Sequence, residues 1–360
     1  MLAYHRLLTA GRPSRWWVLL GVVMVGVIFL VAQTAAAGVI AAGLILGGLP
    51  PDVALDRLSG TDEITPSFLA LVNIGWAAAI PAVVLAVWLV HGLHPGWSAS
   101  VVRRVRWGWL ATCLGLSVVA LVATLVVSAV LPAQGNGAEI TGELNSWSRT
   151  MRDFLLVVVL LTPLQAAGEE FAFRGYLTQA VGTLVPSRVL AVVVPALLFA
   201  LAHGAQDPPV FVDRFAFGLV AGFLVLATGG LEAGIAMHVL NNLLAFGMAL
   251  AFSDMTTAMN PTGGTWWSLP VTLTQSLVYL GVVLWVARRA GIATEGGPTP
   301  SAAERPPGPP GTQGPSGPPP PPGQPGPPGP PPPPGQPGPP GPWGGPPGPP
   351  SELVGPDPRV

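Results

Sequence analysis

Lysine is absent from this 360-residue chain, and all 16 of its basic residues are arginine. A single cysteine, Cys113, lies in an apolar run, which excludes an internal disulfide framework and any cysteine-built metal cage. Charge of either sign is scarce. Asp, Glu, Lys and Arg make up 9% of the residues, against about 25% in a typical soluble domain. Half of the chain is hydrophobic and its mean hydropathy is +0.56. That balance excludes an ordinary soluble domain and predicts a polytopic membrane protein. The net charge of −1 gives no footprint for nucleic acid, so none is expected as a partner. The first apolar run follows basic residues but lacks an A-x-A cleavage site with a polar segment behind it. It reads as a retained helix.

What the chain has in quantity is apolar runs of spanning length, about 20 residues each. Eight such segments occur, at 16–48, 67–92, 107–131, 153–180, 188–204, 212–229, 231–252 and 267–287. Arginine placement orients them. Arg6, Arg12, Arg15, Arg103, Arg104, Arg106, Arg188, Arg288 and Arg289 all fall on one side if eight helices alternate. The other loops carry Asp52, Asp56, Asp62, Glu63, Glu139, Glu143, Asp207 and Asp254. The excess of cations on cytoplasmic loops then predicts an integral protein of the plasma (inner) membrane with both termini in the cytoplasm.

Proline marks a second region. Residues 291–360 hold 30 of the 44 prolines, and PPPPPGQPGPPG occurs at 318–329 and again at 330–341. Such a segment has almost nothing to bury, and it is expected to be a disordered, polyproline-II-like tail. Glycine falls every third residue at 308, 311, 314 and 317, but the five-proline runs break a collagen period. The tail reads as a solvated spacer or as a docking site for a proline-binding domain.

Three polar groups interrupt the apolar segments. In LQAAGEEFAFRGYL, Glu170 and Arg174 are four apart, one turn apart on one helical face, where they can neutralise each other. Glu169 is rotated about 100° from Glu170 and cannot share that pairing equally. A carboxylate left without a cation suits a general base. The alternative is a buried ion network that fixes packing. Ala166, Ala167 and Gly168 would let a neighbouring helix approach closely. In FALAH, His203 is either functional or a helix-end residue near the interface. In HVLNN, His238 and Asn242 share a face and offer donors at fixed spacing, for chemistry or for interhelical hydrogen bonds. Counting along the helices places Glu169, His203, His238 and Asn242 about 10–22 Å from the cytoplasmic boundary of a core about 30 Å thick. That constellation fits a water activated by carboxylate and imidazole, with donors aimed at a developing oxyanion.

GEEFAFRG, FALAH and HVLNN, in that order, resemble the signature motifs EExxxR, FxxxH and HxxxN of the CAAX protease and bacteriocin-processing family, also called the abortive-infection family. The similarity spans roughly 150–252. It implies an all-α intramembrane endopeptidase domain over 1–290 whose substrates are membrane-embedded or lipid-anchored proteins or peptides in the bilayer. Glu169 and His203 would activate water, His238 and Asn242 would form the oxyanion site, and Glu170 and Arg174 would support them. Members are often called metalloproteases. No HExxH occurs here, and two His, one Glu and one Asn are not a standard zinc set. The expectation is therefore no cofactor. If zinc is held, its ligands would be Glu169, His203 and His238. Other classes remain: a non-catalytic immunity or scaffolding protein of the same fold, or a transporter with a proton relay. No repeated halves with broken helices support the transporter. Neither GxSG nor GxGD occurs, which disfavours rhomboid-like and presenilin-like chemistry.

Overall fold

The computed structural model of the chain describes residues 1–130, 143–204, 207–259 and 266–296. Most of the proline-rich segment, and the disorder expected of it, lies outside those residues. Among them, seven helices are long and apolar enough to cross a membrane: α1 (Arg15–Leu46), α2 (Pro66–Val90), α3 (Trp107–Val130), α4 (Arg149–Leu184), α6 (Pro208–Thr228), α7 (Glu232–Phe252) and α8 (Leu269–Arg289). The fifth expected segment forms a shorter apolar helix, α5 (Arg188–Ala202), with Pro195 inside it. Each expected segment is thus helical, and the chain is an integral membrane protein. Its outward surface carries bare leucines, valines and tryptophans such as Leu30, Val39, Val126 and Trp285. Exposed apolar surface on that scale belongs against lipid.

The ends of the helices gather into two faces. At one, β1 (Leu2–Ala3) pairs antiparallel with β2 (Glu295–Gly296), so the chain stays ordered past α8 and returns to its own beginning. Arg6 donates to the Gly182 carbonyl (2.8 Å), Val101 N–H to that of Gly229 (2.8 Å), and Arg106 to that of Ala293 (3.2 Å). The N-terminus, the α2–α3 connection, the end of α4, the α6–α7 turn and the end of α8 therefore meet on one side. At the other face, Ile64 N–H donates to Thr256 Oγ1 (3.0 Å) and Asn145 N–H to the Ala251 carbonyl (2.8 Å). Joining residues 2–3 to 295–296 requires an even number of passes, so α5 counts as the eighth. At 1.5 Å per residue its 15 residues rise only about 22 Å.

α4 is not one regular helix. It breaks at Leu161, just before Pro163, which has no N–H to give. A π-helical turn, Phe171–Leu177, follows directly after the two glutamates. Such turns concentrate at functional sites, because one extra residue in the turn re-aims the side chains around it. Close approach also demands glycine here. A methyl group on Gly168 would overlap the Trp76 carbonyl of α2. One on Gly234 of α7 would stand 2.7 Å from Glu170 Oε2.

Candidate active site

Five helices bring their polar residues to one cavity of about 260 Å³. α4 contributes Gln165 and Glu169, α7 contributes His238 and Asn242, and α5 ends at His203. Glu169, Glu170, Arg174 and His238 are 4%, 0%, 1% and 3% exposed, so the whole cluster is buried. Charges this deep persist only when they neutralise one another or line water.

Glu170 is the hub. Its Oε1 accepts from Arg174 Nη1 at 2.9 Å and from His238 Nδ1 at 3.0 Å. The contact suggested by the i, i+4 spacing of Glu170 and Arg174 is present. The guanidinium also lies over the Phe199 ring, 4.0 Å from its centroid, and 5.7 Å from that of Phe217. Two aromatic faces thus take the remaining positive edge, as quadrupolar rings do for cations.

Glu169 is held differently. Gln165, one turn before it, donates a close hydrogen bond from Nε2 to Glu169 Oε1. Its other oxygen, Oε2, has no hydrogen-bond partner and stands 3.6 Å from His238 Nε2. His238 therefore bridges the two carboxylates, with Nδ1 on Glu170 and Nε2 towards Glu169. Sequence spacing gave no sign of that bridge. Gln165 Oε1 in turn accepts from Asn242 Nδ2 at 3.0 Å. Gln165 thus couples Glu169 to Asn242, and sequence reasoning missed it. The available signal was an amide in an apolar run, four residues before Glu169.

His203 shares the cavity. Its Nδ1–H donates to the Phe199 carbonyl at 2.8 Å, which fixes the orientation of the ring. Its ring lies 4.5 Å from that of Phe199, and Phe199 meets His238 edge-on at 5.8 Å. Asn73 of α2, which donates to Thr162 at 3.0 Å, and Arg214 of α6 complete the polar lining.

Metal was an open question. Among the described residues, no group of three or more His, Cys, Asp or Glu is placed to hold an ion. The two nitrogens of His238 face the two glutamates, and His203 is anchored to its own helix. The arrangement does not fit a three-ligand zinc centre.

An apolar helix bundle with a buried, incompletely satisfied carboxylate, Glu169, facing a cavity defines a class: a membrane-embedded protein with a polar site inside the hydrocarbon layer. Comparison narrows it. Residues 151–244 match the family described as Type II CAAX prenyl endopeptidase Rce1-like. The resemblance read from the three motifs is borne out over that stretch, which contains all of them. A protein of Bacillus subtilis (strain 168), named Uncharacterized protein YyaK, is 24% identical over 260 residues, 67% of this chain and 82% of that one. No solved structure matches the chain.

Proposed function

We propose that the protein is an intramembrane endopeptidase that hydrolyses a peptide bond of a membrane-embedded or lipid-anchored protein or peptide, with Glu169 as general base. The observation that carries this reading is Glu169 Oε2. It is a buried carboxylate oxygen with no hydrogen-bond partner, in a cavity shared with His203, His238 and Asn242. The likeness of 151–244 to a CAAX prenyl endopeptidase family supports protease chemistry.

In the proposed reaction a water lies between Glu169 and His203. Glu169 takes one proton as the water oxygen bonds to the carbonyl carbon. The carbonyl oxygen becomes an oxyanion and accepts from His238 Nε2–H and from the Asn242 N–H not given to Gln165. Donors fixed in place before charge develops are worth more in a water-poor site than in water. For Nε2 to donate, His238 must carry both ring protons. Glu170, which accepts from Nδ1, supplies the balancing charge. The C–N bond then breaks, and Glu169 returns its proton to the leaving amine. Gln165 orients both Glu169 and Asn242, and Arg174 holds Glu170 in place. No metal takes part.

Nine arginines gather at or beside the β1–β2 face, so we place that face, and both ends of the described chain, in the cytoplasm of a plasma (inner) membrane. The proline-rich segment beyond is then a cytoplasmic spacer or a ligand for a proline-binding domain. The test of the activity is a comparison of membrane-protein termini in cells carrying wild type or Glu169→Gln. New N-termini that vanish with Glu169→Gln support proteolysis. Identical sets of termini argue for the non-catalytic immunity or scaffolding reading.

A further inference from the structure

We propose that a groove between α5 and α6 binds one anionic glycerophospholipid of the leaflet on the arginine side, with the phosphate on Arg188 and an acyl chain along the groove. The proposal does not depend on the protease reading. The groove is about 530 Å³ and is separate from the candidate active site. Arg188 stands at its mouth, and its walls include Val189, Val192 and Val193 of α5 and Phe223 and Ala227 of α6. The spacings of three and four put each set on one face of its helix. Small residues bring the two helices together beside it. A methyl group on Gly222 would stand 2.9 Å from Val192 Cγ1, and one on Gly218 would stand 2.9 Å from Ala196 Cβ. Val189 and Phe223 nevertheless stay 68% and 49% exposed, so the groove faces outward, where lipid lies.

The mouth carries positive charge without a counter-ion. Arg188 is exposed and, among the described residues, forms no ion pair. Arg6 reaches the same corner, where it donates to the Gly182 carbonyl. His5 lies close to both. Burial, and then the guanidiniums of Arg188 and Arg6, hold its imidazole below the ordinary histidine value. No Asp or Glu occurs in 1–51 or in 171–206, the segments that build this corner. α5 also begins here, with Ser187 as its cap. The first N–H groups of a helix have no partner inside it and carry partial positive charge. An apolar groove with such a mouth is complementary to a phosphate joined to a hydrocarbon chain. Basic pockets between spanning helices on the cytoplasmic side are where anionic head groups bind.

Depth selects the occupant. From Arg188 to Val193 the wall on α5 rises about 8 Å, at 1.5 Å per residue. That is a fraction of the roughly 30 Å over which a spanning helix of a partner would have to match. It does suit the upper part of an acyl chain that enters from a head group at the interface. The sequence requirements are separable: Arg188 supplies the charge, and the small side chain of Ala227 leaves the space.

Photo-crosslinking of the full-length protein tests this. The protein is placed in phosphatidylcholine vesicles doped with a phosphatidylglycerol that carries a diazirine in one acyl chain, and the adducts are mapped by mass spectrometry. Adducts are expected to concentrate on 188–193 and 219–227. Unlabelled phosphatidylglycerol should displace them, and phosphatidylcholine should do so far less well. Arg188→Gln should lower the groove adducts about fivefold, the worth of one arginine at an anionic lipid surface. Ala227→Phe, which fills the groove and keeps the charge, should also lower them. Arg15→Gln, on the same face but outside the groove, should leave them unchanged. Adducts spread evenly around the bundle overturn the proposal. So does equal competition by phosphatidylcholine, or an Arg188→Gln that labels like wild type. The other occupant is tested by oxidising Phe223→Cys in a Cys113→Ala background in native membranes. A monomer is expected, and a disulfide-linked dimer would give the groove to a second copy and overturn the proposal. Labelling needs no turnover, so repeating it in Glu169→Gln keeps this outcome apart from the fate of the protease reading.

Discussion

Two buried arginine–glutamate pairs touch α7, and they are built to different ends. Near the arginine face, Glu232 receives Arg106 at both oxygens, 2.9 Å from Nε and 2.7 Å from Nη2, and also accepts the Arg106 backbone N–H at 2.8 Å. The remaining Arg106 nitrogen serves the carbonyls of Thr228 and Ala293. Nothing in that pair is left over. Deeper in the bundle, Arg174 meets Glu170 through one nitrogen only. Glu169 Oε2, Glu170 Oε2, and Arg174 Nε and Nη2 all lack hydrogen-bond partners. A buried pair used as a clamp gains from full satisfaction, since each unmade bond costs about 1–3 kcal/mol. Spare capacity beside a cavity is the signature of a site that must bind something else.

That contrast can be broken by mutation. The largest stability loss is expected for Glu170→Gln, which strands Arg174 in the bundle and loosens His238. Removing one partner of a buried pair costs about 3–5 kcal/mol. Thermal melting should fall sharply, and Arg174→Gln should recover part of it in the double variant. A stable Glu170→Gln beside an unstable Glu169→Gln would show the two carboxylates assigned the wrong way round. Glu232→Gln should cost less, about 2–3 kcal/mol, because Arg106 keeps its carbonyl partners and is partly exposed. Turnover per folded molecule should hardly change. Activity that collapses at unchanged stability would show that the clamp belongs to the site. The smallest effect is expected from zinc chelation, which should leave activity intact and find far less than one zinc per chain. Stoichiometric zinc that tracks activity would reverse the assignment of the cluster.

Much of this was legible in the sequence, for identifiable reasons. The apolar segments stand out because a membrane demands long uncharged runs, and all eight became helices. The Glu170–Arg174 contact follows from a spacing of four, which survives the change to a π-helical turn just after Glu170. The turn itself has no sequence signature. Two-residue strands such as β1 and β2 are too short for any periodicity to reveal. The harder failures are between helices. That His238 points one nitrogen at each glutamate depends on the rotation of α7 against α4, which Gly234 permits by leaving room for Glu170. Gln165 was overlooked because an amide in an apolar run carries no charge to attract notice, although it lies at the same spacing from Glu169 as Arg174 does from Glu170.

The central claim is that Glu169 is the base. The most direct measurement is cleavage, by purified protein in lipid vesicles, of a substrate found through its new terminus, with wild type and Glu169→Gln compared at matched thermal stability. The amide keeps the size and the Gln165 contact but cannot take a proton, and general-base catalysis is worth about 10²–10⁴-fold. The account predicts a rate loss of that order with the melting temperature unchanged. A folded Glu169→Gln that cleaves at the wild-type rate would contradict it.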